Sequence, residues 1–222
     1  MTMKYSDPSI FPPPETCDEY GIVAFSGSLN CDMLIDAYSH GIFPWPFGEG
    51  EEYIPWCSPP ERGVIMIDEF HIPHGVKRDM KKWNFSFAVD RDFNSVIREC
   101  ACAVRPDEDG TWITGKIIEA YNKFHRLGYA HSFETYDADG NLVGGLYGIS
   151  IGRIFCGESM FFKVSGASKF AFVKMAEFLK ERKVAVIDTQ MVTNATAAFG
   201  AHMVPQEKYL KLLEKYGGNP LF

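Results

Sequence analysis

Residues 142–190, LVGGLYGISIGRIFCGESMFFKVSGASKFAFVKMAEFLKERKVAVIDTQ, constrain the fold of this chain more than any other stretch. Two apolar, glycine-containing runs flank a turn at Gly152-Arg153, an amphipathic segment follows, and a short apolar run ends in Asp188 and Gln190. Apolar runs bounded by turn residues read as buried strands. In the segment between them Phe172, Met175 and Leu179 recur at i, i+3 and i+7, the spacing of one helix face. One carboxylate, Glu158, falls inside the second apolar run, where burial without a partner costs several kcal/mol. A charge in that place is the first sign of chemistry.

The rest of the chain builds outward from this segment. Residues 1–20 are proline-rich and read as an extended arm. IVAFSGSLN reads as a strand or extended lead-in, and Ser28 or Asn30 can cap a helix over CDMLIDAYSH that Gly41 ends. GIFPWPFGEGEEYIPWCSPPERG is too rich in Pro and Gly for a regular element throughout; its aromatics Phe43, Trp45 and Trp56 either pack or line a site. VIMIDEF is a short strand. In HIPHGVKRDMKKW, Lys77, Arg78, Lys81 and Lys82 form one basic face if helical, either solvated or in contact with a phosphate backbone. FSFAV is a strand, Asp90 or Asp92 caps the next helix, DEDGTWIT is a turn, and Thr114 caps GKIIEAYNKFHRLG. Three antiparallel strands follow, with turns at 137–141 and 152–153. Ser165 is a further cap, before the helix GASKFAFVKMAEFLKER, and helices are expected near Asn194 and over QEKYLKLLEKYG. The order β-β-β-α-β-α implies an α/β (α+β) mixed sheet with helices packed on it.

Composition excludes some functions. At 222 residues, 46% hydrophobic and 23% charged, the chain suits one large domain, or a main domain plus a small one. No apolar run approaches the ~20 residues of a membrane helix, and the N-terminus lacks a signal-peptide layout, so a cytoplasmic protein with no membrane partner is expected. Six scattered cysteines without a C-x-x-C pair read as buried thiols. His71 and His74 are the only close histidine pair, with Pro73 between them, and no metal is expected. A net charge of −7 argues against wholesale nucleic-acid binding but permits a local basic seam.

The strings GIVAFSGSLN, AYSHGIFPW, WCSPPERG, DGTWIT, AYNKFHRLGYAHSFE, LVGGLYGISIGRIFCGESMFF, GASK and IDTQ…GAHMVP occur in that order over nearly the whole chain. Together they resemble the leucyl/phenylalanyl-tRNA–protein transferase family. The resemblance implies a small N-terminal domain (residues 1–68) followed by a domain like the Gcn5-related N-acetyltransferases (69–222). It implies a monomeric enzyme that takes Leu, Phe or Met from aminoacyl-tRNA and links it to the α-amino group of proteins starting with Lys or Arg, marking them for degradation. An aminoacyl ester is already activated, so no cofactor is expected.

The resemblance also implies site residues. Asp188 and Gln190 would orient and help deprotonate the attacking amine, and Glu158 would hold the aminoacyl amine or ribose. Being two apart on a strand, Asp188 and Gln190 are expected on one face. Trp45 and Trp112 would stack on the 3′-terminal adenine. Leu146, Phe155, Met160, Phe172, Met175, Leu179 and Ile187 would form the aminoacyl side-chain pocket, and Lys77, Arg78, Lys81 and Lys82 would meet the tRNA backbone. Departures from the family pattern are Cys57 for a second Trp, Gly166 for Asn, Ala195 and Ala198 for His and Ser, and Gln206-Glu207 for a basic pair. They bear on acceptor choice and tRNA affinity. Three rival readings remain: an acidic acceptor N-terminus, a CoA-dependent N-acyltransferase, and a non-enzymatic tRNA-binding module. KVSGASK lacks the R/Q-x-x-G-x-G/A spacing that cradles pyrophosphate, which argues against the second. The intact set Glu158, Asp188 and Gln190 argues against the third.

Overall fold

The computed structural model describes residues 5–46, 52–103 and 111–222. A sheet of three short strands, β1 (Ile22–Ser26), β2 (Phe43–Pro44) and β3 (Ile54–Cys57), is ordered β1-β3-β2. Helix α1 (Cys31–Ser39) lies between β1 and β2, capped by the Asn30 side chain, which accepts from the Met33 N–H at 2.9 Å. Gly41, at φ +79°, reverses the chain after it.

The larger sheet has seven strands: β4 (Glu61–Met66), β5 (Ser86–Val89), β6 (Ala130–Tyr136), β7 (Leu142–Ile151), β8 (Ile154–Phe162), β9 (Val186–Gln190) and β10 (His202–Pro205). Their order is β10-β4-β9-β8-β7-β6-β5. Every pairing is antiparallel except β8–β9, whose crossover is helix α5 (Ala167–Glu181). The three expected strands from residue 130 and both expected turns are present. Strand β4 precedes residue 68, where the domain boundary was expected, and already belongs to the large sheet.

The sheet is apolar on both faces, which explains the unbroken runs in the sequence. Ile65, Leu146, Phe155 and Ile187 face a core completed by Ala171, Phe172, Met175 and Leu179 of α5. Their neighbours Val64, Tyr147, Cys156 and Val186 face the second core. That core is completed by α1, α3 (Phe93–Cys102), α4 (Gly115–Arg126) and α7 (Gln206–Tyr216). Asp92 and Thr114 cap α3 and α4 as expected, accepting from Ser95 N–H and Ile117 N–H. Glu134 of β6 is fully buried and accepts from the Arg91 and Asp92 N–H groups and the Ser132 hydroxyl, which ties the start of α3 to the sheet.

Some expectations are corrected. The N-cap of α5 is Gly166 at φ +90°, not Ser165, and makes no side-chain cap bond. A Cβ there would stand 2.3 Å from the Trp83 ring, so the indole occupies the space a side chain would need. Helix α2 (His74–Met80) ends before Lys81 and Lys82, so the four basic residues do not share one helix. The six cysteines are thiols, but only Cys100 and Cys156 are buried. The expected turn at 107–110 lies outside the described residues. Helix α6 (Asn194–Ala197) starts where expected, whereas β10, an exposed four-residue edge, carried no strand signal.

Gly144 lets α5 approach β7: a Cβ there would stand 2.6 Å from the Ala167 Cβ and 2.9 Å from its carbonyl carbon. Gly144→Ala is expected to lower stability by about 1–3 kcal/mol, read from the midpoint of urea unfolding at unchanged m-value.

Candidate active site

Strands β8 and β9 pair in parallel only from Ile154↔Val186 to Cys156↔Asp188. Beyond that rung they part, each for a local reason. On β8, Tyr147 pairs with Ser159 and Gly148 with Gly157, leaving Glu158 as the extra residue of a bulge. A bulge bends its strand and re-aims the side chain it carries. On β9, Gln190 has φ +59°, a left-handed conformation that costs a non-glycine residue about 1 kcal/mol or more. The close approach of Gly63 makes room for it: a Cβ on Gly63 would stand 2.7 Å from both the Thr189 Oγ1 and the Met191 carbonyl carbon.

The strain at Gln190 is held by a buried ion pair. Arg62 and Asp188 are 1% and 0% exposed. Arg62 Nε donates to both Asp188 oxygens at 2.9 and 3.1 Å, and Nη2 donates to Oδ2 at 2.8 Å. Asp188 Oδ2 also accepts from the Tyr209 hydroxyl at 2.8 Å, and Oδ1 from the Gln190 backbone N–H at 2.8 Å. The guanidinium lies 4.4 Å from the Phe43 ring centroid and 4.6 Å from that of Tyr209, and Nη1 donates to the Gly41 carbonyl at 3.3 Å. Burial alone would lower the Arg62 pKa, but the Asp188 carboxylate more than offsets it and the pKa is raised.

Where the strands part there is a cavity of about 290 Å³, close to the lower limit for small-molecule sites. Glu158, Thr189 and Gln190 line it. Trp45 and Trp112 do as well, together with Leu146, Met160, Phe172, Met175 and Ile187 of the expected side-chain pocket. The turn at Gly41 brings Trp45 there: the Trp45 N–H donates to the Pro55 carbonyl at 2.9 Å, and its ring leans on Phe43 at 5.8 Å. Trp56, by contrast, is fully buried, its indole N–H donating to Ser26.

Three residues expected at the transfer centre or in the side-chain pocket do not line the cavity. Asp188 stays in the core behind Gln190, with both oxygens occupied. Phe155 and Leu179 are 0% exposed and belong to the core shared by α5 and the sheet. Helical spacing alone could not separate Leu179 from Phe172 and Met175, because one stripe of α5 serves both core and pocket. Arg62 of β4 was missed as a site residue: it follows Ser58-Pro59-Pro60-Glu61, and nothing local marks it as buried. The basic residues are exposed and apart from the cavity, and Arg78 and Lys82 are shared with Asp79 at 3.1 and 3.9 Å. Ala195 lines the cavity, whereas Gln206 donates to Ser58 and Pro14 and so ties α7 to the small sheet.

The Gln190 amide Nε2 donates to Glu158 Oε1 at 3.1 Å. With Nε2 turned to Glu158, Gln190 Oε1 is left for another donor. Glu158 Oε2 is shielded from solvent without a hydrogen-bond partner among the described residues. Burial pushes the Glu158 pKa up to about 8; the Tyr38 hydroxyl opposes the rise, Asp188 adds to it, and the Gln190 amide and Arg62 oppose it. The site therefore holds the Glu158 carboxyl and the Gln190 amide beside aromatic and apolar walls. Such a site suits an amine meeting an uncharged acyl group.

Between its unfolded value near 4.5 and about 8, Glu158 keeps a proton in the folded chain that the unfolded chain has lost, so stability falls as pH rises through that window. Glu158→Gln removes this penalty. Its melting temperature should match wild type near pH 4.5 and exceed it at pH 8, by the equivalent of a few kcal/mol. A difference independent of pH would contradict the assignment.

Comparison with known proteins places the site in context. The family model described as leucyl/phenylalanyl-tRNA protein transferase matches residues 64–214, and that of the family's N-terminal domain matches residues 27–60. The relatives that bear the name leucyl/phenylalanyl-tRNA–protein transferase include three from the following organisms. That of Nitrosospira multiformis is 43% identical over 95% of this chain and 90% of its own. That of Pseudomonas fluorescens is 42% identical over 95% and 92%. That of Maridesulfovibrio salexigens is 41% identical over 93% and 85%.

Proposed function

This chain belongs to the leucyl/phenylalanyl-tRNA protein transferase family and is an aminoacyltransferase, and from that premise we propose its donors, acceptors and working residues. The donors are aminoacyl-tRNAs carrying Leu, Phe or Met. The acceptors are proteins beginning with Lys or Arg, which the added residue marks for degradation, and the enzyme works as a cytoplasmic monomer. The observation that carries this reading is the juxtaposition, in one cavity, of Glu158 and Gln190 with Trp45, Trp112 and an apolar wall.

The aminoacyl side chain enters between Leu146, Met160, Phe172, Met175 and Ile187. These residues suit unbranched or γ-branched apolar groups, and such pockets discriminate by only about 1–3 kcal/mol per methylene, so Met is accepted beside Leu and Phe. The terminal adenine stacks on Trp45 and Trp112. Glu158 holds the donor's amine or ribose. The acceptor amine donates one N–H to Gln190 Oε1 while its lone pair forms the new C–N bond; the ester C–O bond breaks, and the surplus proton ends on the departing ribose oxygen. Asp188 does not touch the substrate. It is a positioning residue that, with Arg62, holds Gln190 in its strained conformation. Lys77, Arg78, Lys81 and Lys82 contact the acceptor-stem backbone without reading its sequence, which makes binding strongly salt-dependent.

Labelled Leu-tRNA incubated with peptides starting with Arg, Lys, Asp or Ala should label the Arg and Lys peptides only; labelling of the Asp peptide alone would overturn the acceptor assignment. Trp112→Ala should raise KM for aminoacyl-tRNA by about 5- to 100-fold, the equivalent of one stacked base, and an unchanged KM would sink the stacking role.

A further inference from the structure

We infer that the acceptor's N-terminal segment binds by strand addition to β8, in the place that β9 leaves when the two strands part. The β8–β9 ladder ends at Cys156↔Asp188, yet β8 continues to Phe162. Among the described residues no strand pairs with that continuation on the side away from β7. The register with β7 is unbroken from Ser159 to Phe162, and just beyond it the Lys163 N–H donates to the Val143 carbonyl at 2.7 Å. Successive residues of a strand turn their N–H and C=O groups to opposite sides. Those of Phe162 and Met160 therefore point away from β7, towards the space that β9 has left. An open edge of this kind pairs with an extended chain.

The space is large enough for one. A second cavity, of about 630 Å³, is lined by Met160 and Phe162 of β8, with Ser168 of α5 and Phe199 after α6. Met160, Phe172 and Ala195 line both this cavity and the transfer cavity, so the two are continuous. Phe162 is 64% exposed, a large apolar side chain on the surface at the open edge. Backbone donors and acceptors in alternation match a polypeptide main chain. A nucleotide strand would instead set its phosphates against the Met160 and Phe162 carbonyls. With its amine at Gln190, the acceptor runs towards Phe162, parallel to β8 as β9 does. Its main chain then supplies the hydrogen bonds, and Phe162 adds apolar contact to the side chain that lies over it.

This inference rests on the transferase reading above, and the test separates them. Wild-type enzyme is given a peptide that begins with the residue it labels best and continues with apolar residues. Three analogues each carry an ester oxygen in place of the backbone N–H of residue 2, 3 or 4. Only alternate residues of an added strand bond to the edge. The peptide kcat/KM should therefore fall about 2- to 10-fold at alternate positions and hold at the position between or beside them. Equal values at all three positions, or equal losses, would overturn the inference. Phe162→Ala should raise KM for the unmodified peptide about fivefold and leave KM for aminoacyl-tRNA unchanged. Wild-type peptide kinetics in that variant, or a raised KM for aminoacyl-tRNA, which would give the groove to the donor's 3′ strand, also overturns it. The amide of the first residue alone has no chain to pair, so its labelling by wild type tests the transferase reading whatever the esters show.

Discussion

The ion pair between Arg62 and Asp188 connects parts of the chain that have little else in common. Arg62 belongs to β4, Asp188 to β9, Tyr209 to α7, and Gly41 and Phe43 to the turn that carries Trp45 towards the cavity. Taking two charges out of water costs several kcal/mol per ion unless the remaining donors and acceptors are met. Here the carboxylate accepts from a guanidinium, a phenol and a backbone N–H, and aromatic rings flank the guanidinium. Such a pair adds little net stability over an apolar replacement. It is costly to break on one side only, which makes it suited to fixing geometry.

What it fixes is the end of β9. An α-crossover between parallel strands closes the sheet tightly, and a ligand can enter only where the ladder is broken. Two local departures break it: the bulge at Glu158 on one strand and the positive φ of Gln190 on the other. Each would be unfavourable by itself. The Gln190 N–H bonded to Asp188 and the space over Gly63 sustain the second; the Gly148–Gly157 pairing accompanies the first. The polar groups are then held on sheet strands, where their positions are better fixed than on a loop.

Much of this was legible in the sequence because the sheet is apolar on both faces. Unbroken apolar runs, turn residues at Gly140 and Gly152, and side-chain caps at Asn30, Asp92 and Thr114 are local signals, and they placed most strands and helices. Glu158 was conspicuous as a carboxylate in an apolar run. The motif resemblance brought in Trp45 and Trp112, whose neighbourhoods are too irregular to read from periodicity. Arg62 stayed hidden because its partner is distant in sequence, and nothing local distinguishes an arginine buried against a carboxylate from one in solvent. The separation of Phe172 and Met175 from Leu179 depends on where β8 and β9 part, a three-dimensional fact. So does the division of labour between Asp188, which lies behind the wall, and Gln190, which forms it.

The central claim is that Arg62 and Asp188 act on the reaction as one unit, through the placement of Gln190. A double-mutant cycle on the rate of transfer tests it directly, using Arg62→Gln, Asp188→Asn and the pair. Each single change should lower kcat by about tenfold or more with little effect on KM for aminoacyl-tRNA, and the double variant should be no worse than the poorer single. Losses that multiply, or a wild-type kcat in either single variant, would contradict it.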